Sequence, residues 1–145
     1  MKISTPETRV ELERYYDLRW RILRQPWNQP RGSEKDPLEG ESVHVMASEG
    51  QMVLGVGRGQ LNTPDEAQIR YMAVDESQRG RGVGSMILFE LEKRLAERGA
   101  GHIVLDARES AVGFYEKHGY SIVGESHTLF GAIPHKRMRK TIRLS

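Results

Sequence analysis

Apolar positions follow two periods along this chain, and the change from one to the other marks its elements. Leu12, Tyr15, Leu18 or Arg19, and Ile22 recur three or four apart, which predicts an amphipathic helix with arginines around its stripe. Thr5 is an acceptable N-cap, with Pro6 at the first helical position and Glu7 in the first turn, and the helix is expected to end near Arg24. The connection from Gln25 to Glu41 carries Pro26, Pro30, Gly32, Pro37 and Gly40, and its length marks a functional loop or a mobile one. Ser42 to Ser48 and Met52 to Leu61 read as strands joined by Glu49-Gly50-Gln51, with a third strand from Ala67 to Val74. Val83 to Arg98 returns to helical spacing: Ile87, Leu91 and Leu95 share a face, Glu90 and Arg94 form a favourable pair, and Gly99 is the stop. His102 to Asp106 is a short buried-type strand and Ser110 to His118 a short helix ended by Gly119. Tyr120 to Glu125 and Lys136 to Leu144 are the last two strands. The expected fold is α/β, layered around one central sheet.

Composition narrows the class. A chain of 145 residues with 37% apolar content fits one domain spanning 1–145. The 22 basic and 20 acidic side chains leave a formal charge of +2, too small a surplus to point to nucleic acid. The densest basic cluster, Lys136, Arg137, Arg139, Lys140 and Arg143, alternates along the last strand and reads as a solvated face. No cysteine occurs, so disulfides and thiol nucleophiles are excluded. Met1 to Pro6 lacks a signal-peptide core and no later run is long enough to span a membrane, so the expected location is the cytoplasm.

The candidate chemistry lies in Gln78-Arg79-Gly80-Arg81-Gly82-Val83-Gly84-Ser85, between a strand and a helix. Glycines at alternate positions strip Cβ atoms from one side of the turn and permit positive φ, so backbone can approach a ligand closely. N–H groups at a helix start lack intrahelical partners and carry the positive end of the dipole, which suits a phosphate or pyrophosphate. A Walker A loop is excluded because no lysine precedes Ser85. A dinucleotide fingerprint stays open: the frame from Gly80 puts Ser85 at its third position, and Asp106 lies at about the ribose-binding distance of twenty residues.

Arg79-Gly80-Arg81-Gly82-Val83-Gly84 resembles the Gln/Arg-x-x-Gly-x-Gly/Ala signature of GNAT-type N-acetyltransferases, behind a strand ending Met72-Ala73-Val74. Ala111-Val112-Gly113-Phe114-Tyr115-Glu116-Lys117-His118-Gly119-Tyr120 resembles the later helix and Gly-aromatic turn of that family. The likeness runs from Val43 to Leu144, and Ala132-Ile133-Pro134-His135 with Met138 is similar to the small ElaA-like branch.

The resemblance implies a mixed sheet whose fourth and fifth strands splay around acetyl-CoA, with transfer of the acetyl group to a primary amine in a ternary complex. Backbone from Arg79 through Gly80, Arg81, Gly82, Val83 and Gly84 to Ser85 is expected to hold the pyrophosphate, while Met72, Ala73 and Val74 pair with the pantetheine arm. An N–H near Val74 is expected to stabilise the oxyanion. Tyr115 is the expected acid for the departing thiolate, its reference pKa of about 10 lying above the thiol's 8.5. His44, His135 and Glu41 are candidate bases. Many members have asparagine seven residues before the tyrosine; here Arg108 stands there, a candidate for a coenzyme A phosphate.

No metal is expected, since His44, His135 and the nearby acids lack tight ligand spacing. The partner the resemblance implies is a small-molecule or peptide amine, with no nucleic acid or membrane expected and with a homodimer left open. Glu34, Asp36, Glu39 and Glu41 favour a cationic amine if they face the site. The competing functions are an acyl-CoA-binding sensor without turnover and a small NAD-binding reductase using Asp106.

Overall fold

A computed structural model describes residues 1–142. The expected end of the last strand at Leu144, and Arg143 of the basic cluster, lie outside the described residues.

The first helix, α1 (Arg9–Leu23), starts later than expected. Thr8, not Thr5, caps it: the Thr8 hydroxyl accepts from the Glu11 N–H at 3.1 Å, and Glu11 Oε1 accepts from the Thr8 N–H at 3.0 Å. This reciprocal box outcompetes the Thr5-Pro6 signal because it satisfies two end groups at once. The residues before it form β1 (Lys2–Ser4), which pairs antiparallel with Met46–Ser48.

β2 (Val43–Glu49), β3 (Met52–Leu61) and β4 (Glu66–Val74) form an antiparallel meander. α2 (Val83–Glu97) then crosses to β5 (His102–Arg108), parallel to β4. α3 (Val112–Lys117) leads into the hairpin β6 (Ser121–Leu129) and β7 (Ile133–Thr141). The hairpin strands extend closer to their shared turn than the sequence predicts. One sheet results, ordered β1-β2-β3-β4-β5-β7-β6.

Alternation along the strands gives the sheet two buried faces. Val43, Val45, Ala47, Ile69, Ile103, Leu105 and Ala107 pack with α2 and with Tyr115 of α3. Met46, Val53, Val56 and Ala73 pack instead against Tyr15, Leu18 and Leu23 of α1.

α2 packs close against β3 because β3 presents Gly55, Gly57 and Gly59 toward it. A Cβ added at Gly55 would lie 2.7 Å from Ile87 Cδ1, at Gly57 2.8 Å from Ile87 Cγ2, and at Gly59 2.8 Å from Leu95 Cδ1. The apolar ridge of α2 therefore fills a groove made of missing side chains.

Two irregularities position the site. β4 and β5 pair only at Glu66↔His102, Ala67↔Ile103 and Gln68↔Val104. Beyond these, β4 stays with β3 up to Val74 and β5 stays with β7 up to Arg108, so a wedge opens between them. Within β4, the ladder to β3 slips between Val56 and Arg58, and Tyr71 takes φ of 58°. This bulge sets Tyr71 against the α1 cluster and the following Met72 against the α2 cluster.

Candidate active site

The wedge opens into a cleft of about 820 Å³. One wall is β4 from Gln68 to Val74, and the other is β5 from Leu105 to Arg108. The glycine turn, α3 and the last turn of α1 complete the lining, with His127, Leu129 and His135 from the hairpin.

On the α2 side, Gly80 and Gly82 adopt φ of 82° and 79°, and a Cβ at either would meet nothing within 4 Å. The glycines are thus required by the turn's conformation and leave its outer surface open. The first helical bond runs from the Met86 N–H to the Gly82 carbonyl, and no side chain caps the end. The N–H groups of Val83, Gly84 and Ser85 precede that bond and form a donor set at the positive end of the dipole. Arg79 and Arg81 use their own N–H groups on the carbonyls of Glu76 and Gln78. Arg79 lines the cleft, whereas Arg81 does not and bonds through its side chain to Gln78. The donors fit a pyrophosphate.

Tyr115 lines the same side, 8% exposed and packed edge-on against Phe114 and Tyr120. Its phenol has no hydrogen-bond partner among the described residues. Burial pushes its pKa well above 10, so the proton is held at neutral pH. Met72, Ala73 and Val74 lie on the gap, where β4 has a strand partner on one edge only.

His135 approaches from the other side, opposite Arg108 in the β5–β7 register and 7% exposed. Its Nδ1–H donates to the Ile133 carbonyl at 2.9 Å, which leaves Nε2 as the lone-pair nitrogen of the neutral ring. Burial, with the charges of His127 and Arg108 adding, outweighs that bond and holds its pKa below 6.5. The His127 ring stacks on it with centroids 4.5 Å apart.

The other candidate bases lie elsewhere. His44 is outside the cleft, with Nδ1 2.8 Å from Tyr15 Oη and Nε2–H donating to the Glu39 carbonyl at 2.7 Å. Both nitrogens are engaged in a buried network, and Glu41 sits on a single helical turn that does not line the cleft. The carboxylates expected to attract a cationic amine are also occupied. Asp36 binds Arg58 and Arg70, and Glu39 binds Arg19 and Arg58; Arg19 and Arg58 are both fully buried. Glu34 accepts from the Gly32 N–H at 2.7 Å. Buried arginines demand paired anions, and Asp36 and Glu39 supply them.

Asp106, the residue a nicotinamide ribose would need, accepts from Arg137 at 3.0 Å and from Ser126 at 2.8 Å. Arg108 lines the cleft on the α1 side of β5, with Nη2 directed at the Leu23 carbonyl at 3.5 Å. Arg24 and Tyr71 also line it and fall outside the sequence expectation. The sequence shows Arg24 only as a helix end, and a bulge such as Tyr71's leaves no trace in hydrophobic period. Among the described residues, no group of three or more His, Asp or Glu is arranged to hold a metal, and no helix is long and apolar enough to cross a membrane.

Comparison with known proteins agrees with this geometry. An uncharacterized N-acetyltransferase of Bacillus subtilis, YjcF, is 34% identical over 97% of this chain and 99% of its own length. A crystal structure of an aminoglycoside 6'-N-acetyltransferase complexed with coenzyme A superposes with a TM-score of 0.85 at 23% identity, covering 100% of this chain and 99% of that one. Escherichia coli ElaA shares the fold at a TM-score of 0.80 and 20% identity, over 96% and 97% of the two chains. Residues 12–120 match the model of the acetyltransferase (GNAT) family, and with the split sheet and the uncapped glycine turn this makes the chain a member of that family.

Proposed function

We propose that the protein transfers an acetyl group from acetyl-CoA to a primary amine by direct attack in a ternary complex. The observation that carries this reading is one cleft passing between β4 and β5, with anion donors and Tyr115 on its α2 side and the free nitrogen of His135 on its α1 side. The coenzyme A bound to one solved relative supports the choice of donor. When bound, acetyl-CoA supplies a thioester carbonyl open to attack by an amine.

This chain's residues do the rest. N–H groups of Val83, Gly84 and Ser85, with Gly80 and Gly82 leaving room, bind the pyrophosphate, and Arg79 adds charge. The edge of β4 from Met72 to Val74 offers N–H and C=O groups for strand-like pairing that aligns the arm in the gap. An amine must lose a proton before it attacks, because a free alkylamine of pKa about 10.4 is charged near neutrality. His135 Nε2 takes that proton, directly or through water. The Tyr115 phenol, kept protonated by burial, gives its proton to the thiolate as it leaves.

Calorimetry with acetyl-CoA, with NAD and ATP as controls, tests the reading. Binding lost in Gly82→Trp, followed by thiol release that depends on added amine, is the expected result. Silence toward acetyl-CoA with an NAD response overturns it, and binding without turnover of any amine leaves an acyl-CoA sensor.

A further inference from the structure

The acceptor end of the cleft is cationic. Arg24, at the end of α1, and Arg108, at the end of β5, meet at one neutral group: Arg24 Nη1 donates to the Leu23 carbonyl at 3.0 Å, and Arg108 Nη2 points to the same oxygen at 3.5 Å. Arg24 is further held by the Ser33 carbonyl at 3.1 Å and lies over the ring of Phe130, which packs near Trp27. Both guanidiniums are partly buried, and neither forms an ion pair among the described residues. Asp106 is the one carboxylate among the described residues lining the cleft, and Arg137 occupies it. Like charges brought together under partial burial are unfavourable until an anion joins them. Burial and the charge of Arg24 accordingly lower the pKa of Arg108.

Two anions are available in principle, a phosphate of the cofactor or a carboxylate of the acceptor. Position separates them. Asp106 and Arg108 alternate along β5 with Leu105 and Ala107, which pack toward α2, so Arg108 faces α1, across the sheet from the glycine turn. It is also the register partner of His135. We infer that Arg24 and Arg108 bind a carboxylate on the acceptor, so that the substrate is an amine with a carboxylate a few bonds from its nitrogen, such as an amino acid or a short acidic peptide. This rests on the transferase reading above. The carboxylate anchors between the guanidiniums, where Arg can accept it through paired N–H donors, and the nitrogen is thereby held beside His135 Nε2. The solved relatives named for aminoglycosides act on polycations, a class that this lining disfavours.

The test is a thiol-release assay on the full chain with amino acids and their matching carboxamides, run beside acetyl-CoA calorimetry. The expected result is a kcat/KM for the acids roughly 10- to 100-fold above the amides, the scale of a charge-assisted hydrogen-bonded contact. In R108Q and R24Q that ratio falls toward one while the Kd for acetyl-CoA is unchanged, and R108K restores part of the ratio. Amides turned over as well as acids by the wild-type protein overturn the inference and leave the transferase reading standing. Weakened acetyl-CoA binding in R108Q with an unchanged acid-to-amide ratio overturns it in favour of a phosphate contact. Failure of acetyl-CoA to bind the wild-type protein defeats the transferase reading instead.

Discussion

Arg58 and Asp36 meet through two hydrogen bonds of 2.6 and 2.9 Å that tie the loop after α1 to the middle of β3. Arg58 also stacks over Tyr71, its carbon 4.9 Å from the ring centroid, with Arg19 at 4.4 Å and Arg70 at 4.7 Å from the same ring. The pair therefore braces the bulge from which β4 turns toward the gap.

Asp36→Ala leaves Arg58 with Glu39 as its remaining carboxylate and should cost on the order of 2–3 kcal/mol, read as a lower denaturant midpoint. Burial raises the Asp36 carboxyl pKa, but the hydrogen bonds from Arg58 and Leu38 and the charges of Arg58 and Arg70 outweigh it and hold the pKa below the ordinary range. A lowered pKa contributes stability that is complete above about pH 5 and is lost as pH falls below about 4. Acid unfolding should be shallower in Asp36→Ala than in the wild type; an equal slope would place the acid sensitivity elsewhere.

Tyr115→Phe keeps the ring against Phe114 and Tyr120 and removes an oxygen with no partner among the described residues. Stability should change by less than about 0.5 kcal/mol while kcat falls about 10- to 100-fold. Unchanged turnover would reduce Tyr115 to a packing residue.

His135→Gln should lower kcat/KM about 100-fold and flatten the acidic limb of its pH profile. In the wild type that limb is expected on the acid side of an ordinary histidine's, because burial lowers the His135 pKa and the free base is lost only as pH falls through it. A limb that survives in the variant would assign the titration to another group.

Gly82→Ala puts a Cβ into open space but forces φ of 79° on a residue that resists it, at a cost of about 1–2 kcal/mol. The same Cβ stands on the surface that a pyrophosphate would approach. Acetyl-CoA affinity should fall at least about 10-fold, more than thermal stability alone accounts for. Equal affinity by calorimetry would move the anion site off the turn.

Local signals carried far in this chain. The glycine turn, the apolar face of α2 and its Gly99 stop, at φ of 101°, follow from residues close in sequence, and Glu90 and Arg94 pair at 2.9 Å as their spacing predicts. Non-local effects did not show. β1 exists because β2 offers an edge, and its three residues carry no pattern of their own. The hairpin extends through Ser126 and His127, where register slips between Glu125 and Thr128 erase alternation. His44 and His135 look equivalent as histidines in strands. What distinguishes them is that His44 faces Tyr15 and the loop acids, while His135 pairs with the strand that borders the gap. The loop carboxylates read as a cationic-amine trap because nothing in the sequence announces that Arg19 and Arg58 would be buried beneath them.

The bare stripe along β3 reaches further than packing. Because Gly55, Gly57 and Gly59 let α2 settle against the strand, they govern how high the opening turn of that helix stands relative to the split in the sheet. Residues outside the cleft thus act as shims under the glycine turn. A methyl group at Gly55, 2.7 Å from Ile87 Cδ1 and 2.8 Å from Val83 Cγ1, would lift the opening turn of α2 and misalign the donors at Val83 to Ser85, although Gly55 itself does not line the cleft.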